Sequence, residues 1–187
     1  MKIQKLILSA VIGLAVVATV LPASAAPKSE DELMADLASP KEGIVTRALQ
    51  NLEKEYPNSP NSLPKIKALL TDERPAVREK AARVLGATHA KVSADDLKKI
   101  AAMLKSDNWK EAQQAVIALR GLDAKSTVPE IVPLLKNANP FVKRDACRTL
   151  AVLGDKSVIK DIEPLTSDPD KRVQKDANDA IFTLKNK

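Results

Sequence analysis

The chain has 187 residues with 30 Lys and Arg against 24 Asp and Glu, a formal charge of +6, and only 2% aromatic residues. That length suits one domain, and the mild, interspersed charge makes no demand for a nucleic-acid partner. A single cysteine, Cys147, excludes an intramolecular disulfide, so stability must come from packing.

The first segment stands apart. Lys2 and Lys5 precede an uncharged apolar run over residues 6–21, and Pro22 is followed by Ala23, Ser24 and Ala25. A basic start, an apolar middle and an A-x-A site predict a secretory signal peptide over residues 1–25, cut after Ala25. The apolar run is 16 residues, short of the roughly 20 a spanning helix needs, which disfavours an uncleaved membrane anchor. Cleavage lowers the charge to +4, places residues 26–187 in the periplasm or the exterior, and leaves nothing that implies a membrane.

Two columns then repeat along the chain. Small residues recur at Ala48, Ala81, Ala115, Ala146 and Ala177, with Leu52, Leu85, Leu119, Leu150 and Ile181 four positions later. Between them lies a second column of Leu33, Ile66, Ile100, Ile131 and Ile162. Both columns advance by 33, 34, 31 and 31 residues. Companions at i+4, and at i+7 or i−3, mark one face of an α-helix. The first set is termed the A helices and the second the B helices; they alternate from a B helix at residue 29 to an A helix ending near residue 185. No stretch alternates with period two, so no strand is expected.

The punctuation agrees with this division. Ser29 with Glu32, Ser93 with Asp96, and Thr127 with Glu130 place a hydroxyl three residues before a carboxylate at B-helix starts. Ser39 with Glu42, Asn139-Pro140 and Asp168-Pro169 supply caps for A helices, and Pro75 fills the same place in its own. Gly86 and Gly154 are expected to close A helices. The fold expected is all-α, an α-solenoid of about five helical hairpins and about ten helices, in which stacked neighbours bury one continuous core.

Val77-Arg78-x-x-Ala81-Ala82-x-x-Leu85-Gly86 and Val142-Lys143-x-x-Ala146-x-x-x-Leu150-x-x-Leu153-Gly154-Asp155 resemble HEAT repeats, nearest the HEAT-like class of the phycobilisome lyases. The resemblance covers residues 29–185 and implies a right-handed superhelix. It also implies that the second helices of the hairpins, taken here as the B helices, line a concave binding face. Such repeats serve scaffolds, lyases and hydroxylases alike, so the resemblance carries fold rather than activity. Lyases of this class act inside the cell, which an exported chain does not share.

Chemistry finds little support in the residues. His89 is the one histidine, so the several His-Glu pairs that hold iron in HEAT-repeat hydroxylases cannot be assembled. Cys147 sits in a mostly apolar column with Leu49, Ala82, Val116 and Asn178, as core filler would. No phosphate-binding loop occurs. No catalytic, cofactor or metal-binding residue is therefore expected, and the chain is expected not to be an enzyme. Basic B-helix positions are interrupted by acids and lack aromatics, which disfavours nucleic acid.

The expected function is a scaffold or adaptor of the cell envelope that holds a protein partner, with an accessory subunit or lyase-type enzyme acting beside an exported partner as the alternative. Its surface is expected on the B helices. There Ala35, Ala68, Ala102, Pro133 and Pro164 form a ridge, flanked by the basic Lys65, Lys98 and Lys99 and the acidic Glu130, Asp161 and Glu163. Trp109 and Phe141, at neighbouring A-helix starts, are candidates for an aromatic anchor, although packing beneath an inter-repeat loop is the plainer expectation.

Overall fold

The computed structural model describes residues 27–187; the expected signal peptide, residues 1–25, lies outside the described residues. Ten α-helices alternate as anticipated. The B helices are α1 (Glu30–Asp36), α3 (Leu63–Ala68), α5 (Ala94–Ala102), α7 (Val128–Ile131) and α9 (Ile159–Ile162). The A helices are α2 (Glu42–Glu55), α4 (Pro75–Ala87), α6 (Trp109–Gly121), α8 (Pro140–Leu153) and α10 (Lys171–Lys185). The protein is an α-solenoid of HEAT-like hairpins with no strand among the described residues.

All the B helices are short, and in α7 and α9 the reason is covalent. Proline lacks the N–H that an interior turn donates. Pro133 and Pro164 sit where α7 and α9 would continue, and the chain there tightens into 3-10 helix over Val132–Lys136 and Glu163–Ser167. The A helices carry proline only at their starts and run 13 to 15 residues.

The core follows the two columns. Ala48, Ala81, Ala115, Ala146 and Ala177 are buried, as are Leu33, Ile66, Ile100, Ile131 and Ile162. An alanine column lets successive A helices approach closely, and they touch along their lengths, whereas B helices meet their neighbours chiefly through the 3-10 segments. The tightest crossing joins α4 and α6: a Cβ added to Gly86 would lie 2.5 Å from the Ala118 Cα, and one added to Gly121 would overlap the Gly86 carbonyl oxygen. In a two-layered stack the layer whose helices lie closer together is the inside of the curve. The A helices, the more closely packed set, are accordingly termed the inner layer and the B helices the outer one.

The turns refine the capping scheme. Ser29 with Glu32 and Ser93 with Asp96 are full capping boxes, and Asn139 caps α8 with Pro140 in its first turn. Ser39 and Asp168 do not cap: α2 and α10 start later, after Lys41 and Asp170. Thr127 does not cap α7 either, because its hydroxyl donates back to the Ala124 carbonyl at 2.7 Å. Nor do Gly86 and Gly154 act as left-handed caps. Gly154 does close α8 as its C-terminal cap, in extended backbone with φ of −81°, whereas Gly86 lies within α4 and is required by the close crossing. The left-handed positions among the described residues are Asn58 (φ 59°), His89 (φ 50°) and Asp123 (φ 49°); after the last two, the amides of Ala90 and Ala124 donate back to Leu85 and Leu119.

Each B-to-A turn is instead held by a side-chain acceptor two residues before the A-helix cap. Ser39, Asp72, Ser106, Asn137 and Asp168 accept the backbone N–H of Lys41, Arg74, Asn108, Asn139 and Asp170 at 2.8 to 3.2 Å. This column advances by the same 33, 34, 31 and 31 residues as the core columns.

Candidate partner-binding surface

The ridge residues Ala35, Ala68, Ala102, Pro133 and Pro164 are all exposed, as are Lys65, Lys98, Glu130 and Glu163, with Lys99 and Asp161 half-buried. Lys99 is held by Asp95 at 2.7 Å on the same helix, a solvent-facing pair of small energetic weight. These side chains are strung singly along the outer layer, and a convex ridge of small residues encloses nothing. A recess of about 390 Å³ opens between the ends of α3 and α5 beside Leu70, Ala102 and Met103. Its floor is an ion pair: Arg78 donates to the buried Glu111 at 2.6 and 3.1 Å and to the carbonyls of Asp72 and Glu73.

Trp109 and Phe141 behave differently. The first residue of α6 and the second of α8 bring the two rings together across a repeat boundary. They stack with centroids 5.8 Å apart and planes inclined by 21°. Neither is packed beneath a loop: Trp109 is 37% and Phe141 41% exposed. Lys110 stands over the Trp109 ring at 5.7 Å and the Arg172 guanidinium over Phe141 at 5.5 Å. A run of cation, indole, phenyl and cation thus spans three A helices along the edge of the inner layer.

The inner face beside this run is charged, and its carboxylates are mostly engaged. Glu53 of α2 is bound by Arg83 of α4. Asp145 of α8 accepts from Gln113 of α6 at 2.7 Å. Asp176 of α10 accepts from Arg144 at 2.7 Å and Arg148 at 3.0 Å, both of α8, and Asp179 is paired with Lys175. Each acid but the last reaches a neighbouring helix, so these bonds also lock the stacking of repeats. Glu79 is without such a partner among the described residues, and burial pushes its carboxyl up from the ordinary value. Arg47, Lys80, Lys110 and Arg120 share this face and form no ion pair among the described residues. Two grooves of about 480 Å³ each lie on it, one between α2 and α4, the other beside α8 and α10.

The chemically capable side chains are absorbed by structure. Cys147 is fully buried, and burial, with the charges of Asp176 and Asp168 behind it, pushes its thiol up to about 12, which keeps it out of the thiolate form. His89 takes the left-handed turn after α4 and places Nδ1 2.6 Å from the Gly121 carbonyl, tying two repeats together. Among the described residues no three His, Cys, Asp or Glu gather where they could hold a metal, and no helix is long and apolar enough to cross a membrane.

The sequence over residues 97–181, from within α5 into α10, matches the family described as HEAT repeats. The fold is similar to that of the phycocyanin lyase complex of CpcE and CpcF from Nostoc sp. PCC7120, with a TM-score of 0.75 at 21% identity over 90% of this chain and 70% of that one. An engineered protein follows at 0.67 and 20% identity, over 84% of this chain and 79% of that one. A designed armadillo repeat protein in complex with the peptide (KR)4 gives 0.61 at 16% identity, over 81% and 80%. At such identities the likeness is one of fold. No curated protein matches the sequence.

What the sequence reasoning missed is the inner-layer surface itself. The signal was present: Arg47 and Lys80 precede the alanine column by one residue in successive repeats, and Lys110, Phe141 and Arg172 occupy one equivalent position in three. Reading them as a face required knowing which layer lies inside.

Proposed function

We propose that the protein is an exported, non-catalytic scaffold that holds a protein partner on the inner face of its A helices, anchored on Trp109 and Phe141. The observation that carries this reading is the stacked, solvent-facing aromatic pair, in a chain with one Trp, one Tyr and two Phe. Large rings left at a surface by a protein so poor in them are suited to act as binding anchors, which interface energetics favour. The inner layer adds length, since each repeat contributes another set of side chains to a continuous strip. A peptide is carried by the armadillo design of similar fold, and a second protein by the lyase component, so a polypeptide occupant suits this architecture. The basic start, apolar run and A-x-A site support export through a signal peptide ending at Ala25 and a place in the periplasm or outside the cell. The charges Lys65, Lys98, Lys99, Glu130, Asp161 and Glu163 are then a solvated outer surface.

The test uses residues 26–187 as bait against an envelope fraction, beside the variants Trp109→Ala/Phe141→Ala and Lys98→Glu/Lys99→Glu. Loss of an aromatic anchor is worth about 2 kcal/mol or roughly thirtyfold in affinity. A partner captured by the parent and by the lysine variant, but lost by the aromatic variant, supports the reading. Loss with the lysine variant alone returns the surface to the B helices. Turnover of a substrate by the bait with its partner would replace the scaffold with an accessory catalytic role.

A further inference from the structure

The inner face is unequal along its length. In its first part, on α2, α4 and α6, Arg47, Lys80, Lys110 and Arg120 carry charges that no carboxylate answers among the described residues, and Glu79 is the one acid left open. In its second part, on α8 and α10, cations are matched: Arg144 and Arg148 with Asp176, Lys175 with Asp179, Arg172 with Asp170. The aromatic pair stands where the two parts meet, Trp109 on α6 and Phe141 on α8.

We infer that the inner face takes an extended acidic polypeptide segment, its carboxylates lying over Arg47 and Lys80 and an apolar side chain seated against Trp109 and Phe141. This inference rests on the scaffold reading and names the chemistry of the partner. Charge complementarity selects the acids, because four cations of α2, α4 and α6 without an ion pair outnumber the single open carboxylate, Glu79, that lies among them. The groove between α2 and α4, lined by Gly43, Thr46, Arg47, Gln50, Glu79 and Lys80, gives the segment its path. The half-buried Lys80 on its wall is a cation whose charge burial already disfavours, which an arriving carboxylate would relieve.

Helix axes in contact lie about 10 Å apart, so the path from α2 to the α6–α8 boundary is roughly 20 to 25 Å. Extended chain covers about 3.3 Å per residue, which places the apolar anchor about six or seven residues from the acid over Arg47.

A uniform polyanion fits less well. On α8 and α10 it would meet Asp145, Asp176 and Asp179 on the same face.

The experiment measures binding of fluorescent twelve-residue peptides to the folded chain by anisotropy. One peptide carries two aspartates six residues from a leucine pair, one is its scramble, and one has lysine for each aspartate. The acidic peptide should bind, the scramble at least about tenfold more weakly, and the lysine peptide not measurably. Arg47→Glu/Lys80→Glu should weaken the acidic peptide about tenfold or more and admit the lysine peptide, with unchanged far-UV circular dichroism. Should reversal perturb folding, Arg47→Gln/Lys80→Gln serves, with the same weakening and no gain of the lysine peptide. Equal binding of acidic peptide and scramble, or binding that survives reversal, overturns the inference. So does tighter binding of single-stranded oligothymidine or anionic vesicles than of the acidic peptide. If no peptide binds while envelope capture still fails in Trp109→Ala/Phe141→Ala, the acidic segment is refuted and the scaffold stands.

Discussion

Glu111 breaks the repeat in a way that makes a quantitative prediction. Its counterparts in α4, α8 and α10 are Val77, Val142 and Val173, all fully buried, and Glu111 is itself only 1% exposed. The acid accepts from Arg78 of the preceding A helix at 2.6 and 3.1 Å and from the Ser106 hydroxyl at 2.7 Å. Removing one member of a buried pair costs about 3–5 kcal/mol, mostly because the other is stranded. In Glu111→Ala the stranded group is Arg78, whose side chain is 24% exposed and keeps its carbonyl acceptors, so the cost falls near the lower end, about 3 kcal/mol. In Arg78→Met the stranded group is a carboxylate at 2% exposure with one hydroxyl left, so the cost moves to about 5 kcal/mol. The double change Arg78→Met/Glu111→Val restores the valine column and should return within about 1.5 kcal/mol of the parent. Urea unfolding followed by circular dichroism reads all three. A Glu111→Ala variant within 1 kcal/mol of the parent (roughly a fivefold change in the folding constant), or a double variant no better than either single one, would refute the argument.

Three other perturbations test separate parts of the structure. Gly86→Val must part α4 from α6 at their tightest crossing and should cost about 1–3 kcal/mol in the same assay, whereas the exposed Gly43, with open space around it, should tolerate Ala. Cys147 should resist alkylation by iodoacetamide at pH 8 in the folded chain and react only in denaturant, since burial pushes its thiol up to about 12; rapid native labelling would contradict that packing. Asp72 is held below the ordinary carboxylate value chiefly by hydrogen bonds from the Arg74 side chain, and Asp170 likewise by Arg172. A folded-state value below the unfolded one gives stability that is present above about pH 4 and lost as pH falls through the folded value. The unfolding midpoint should therefore be flat from pH 5 to neutrality and drop below about pH 4, and less steeply in Asp72→Asn, whose turn still finds an acceptor.

The helices and their order were legible in the residues because each A helix repeats a first residue of Ile, Val or Glu, then Ala, then Leu or Ile at four-residue intervals, and the B helices repeat their own column in step. Two matching periods are local facts that survive whatever the chain does at longer range. The ends of helices were less legible. Ser39 and Asp168 have the residue type of a cap but serve the turn one step earlier, because the same oxygen can satisfy an amide two residues on in either setting. Gly86 has the place of a C-terminal glycine yet is needed for the passage of a neighbouring helix, a contact that no local pattern encodes.

By itself, then, the sequence determined that this is an all-α repeat protein, where its helices lie and which side chains form the core, since periodicity and proline placement are properties of neighbouring residues. Only the tertiary structure decided which layer lies inside. That depends on how closely helices 30 or so residues apart can approach, through the alanine column and the Gly86–Gly121 crossing. Of the candidates named from the sequence, the structure strings Lys98 and Glu130 singly along the B helices and brings Trp109 and Phe141 together, because a face is made by side chains from different repeats, and their adjacency is fixed by packing rather than by spacing along the chain.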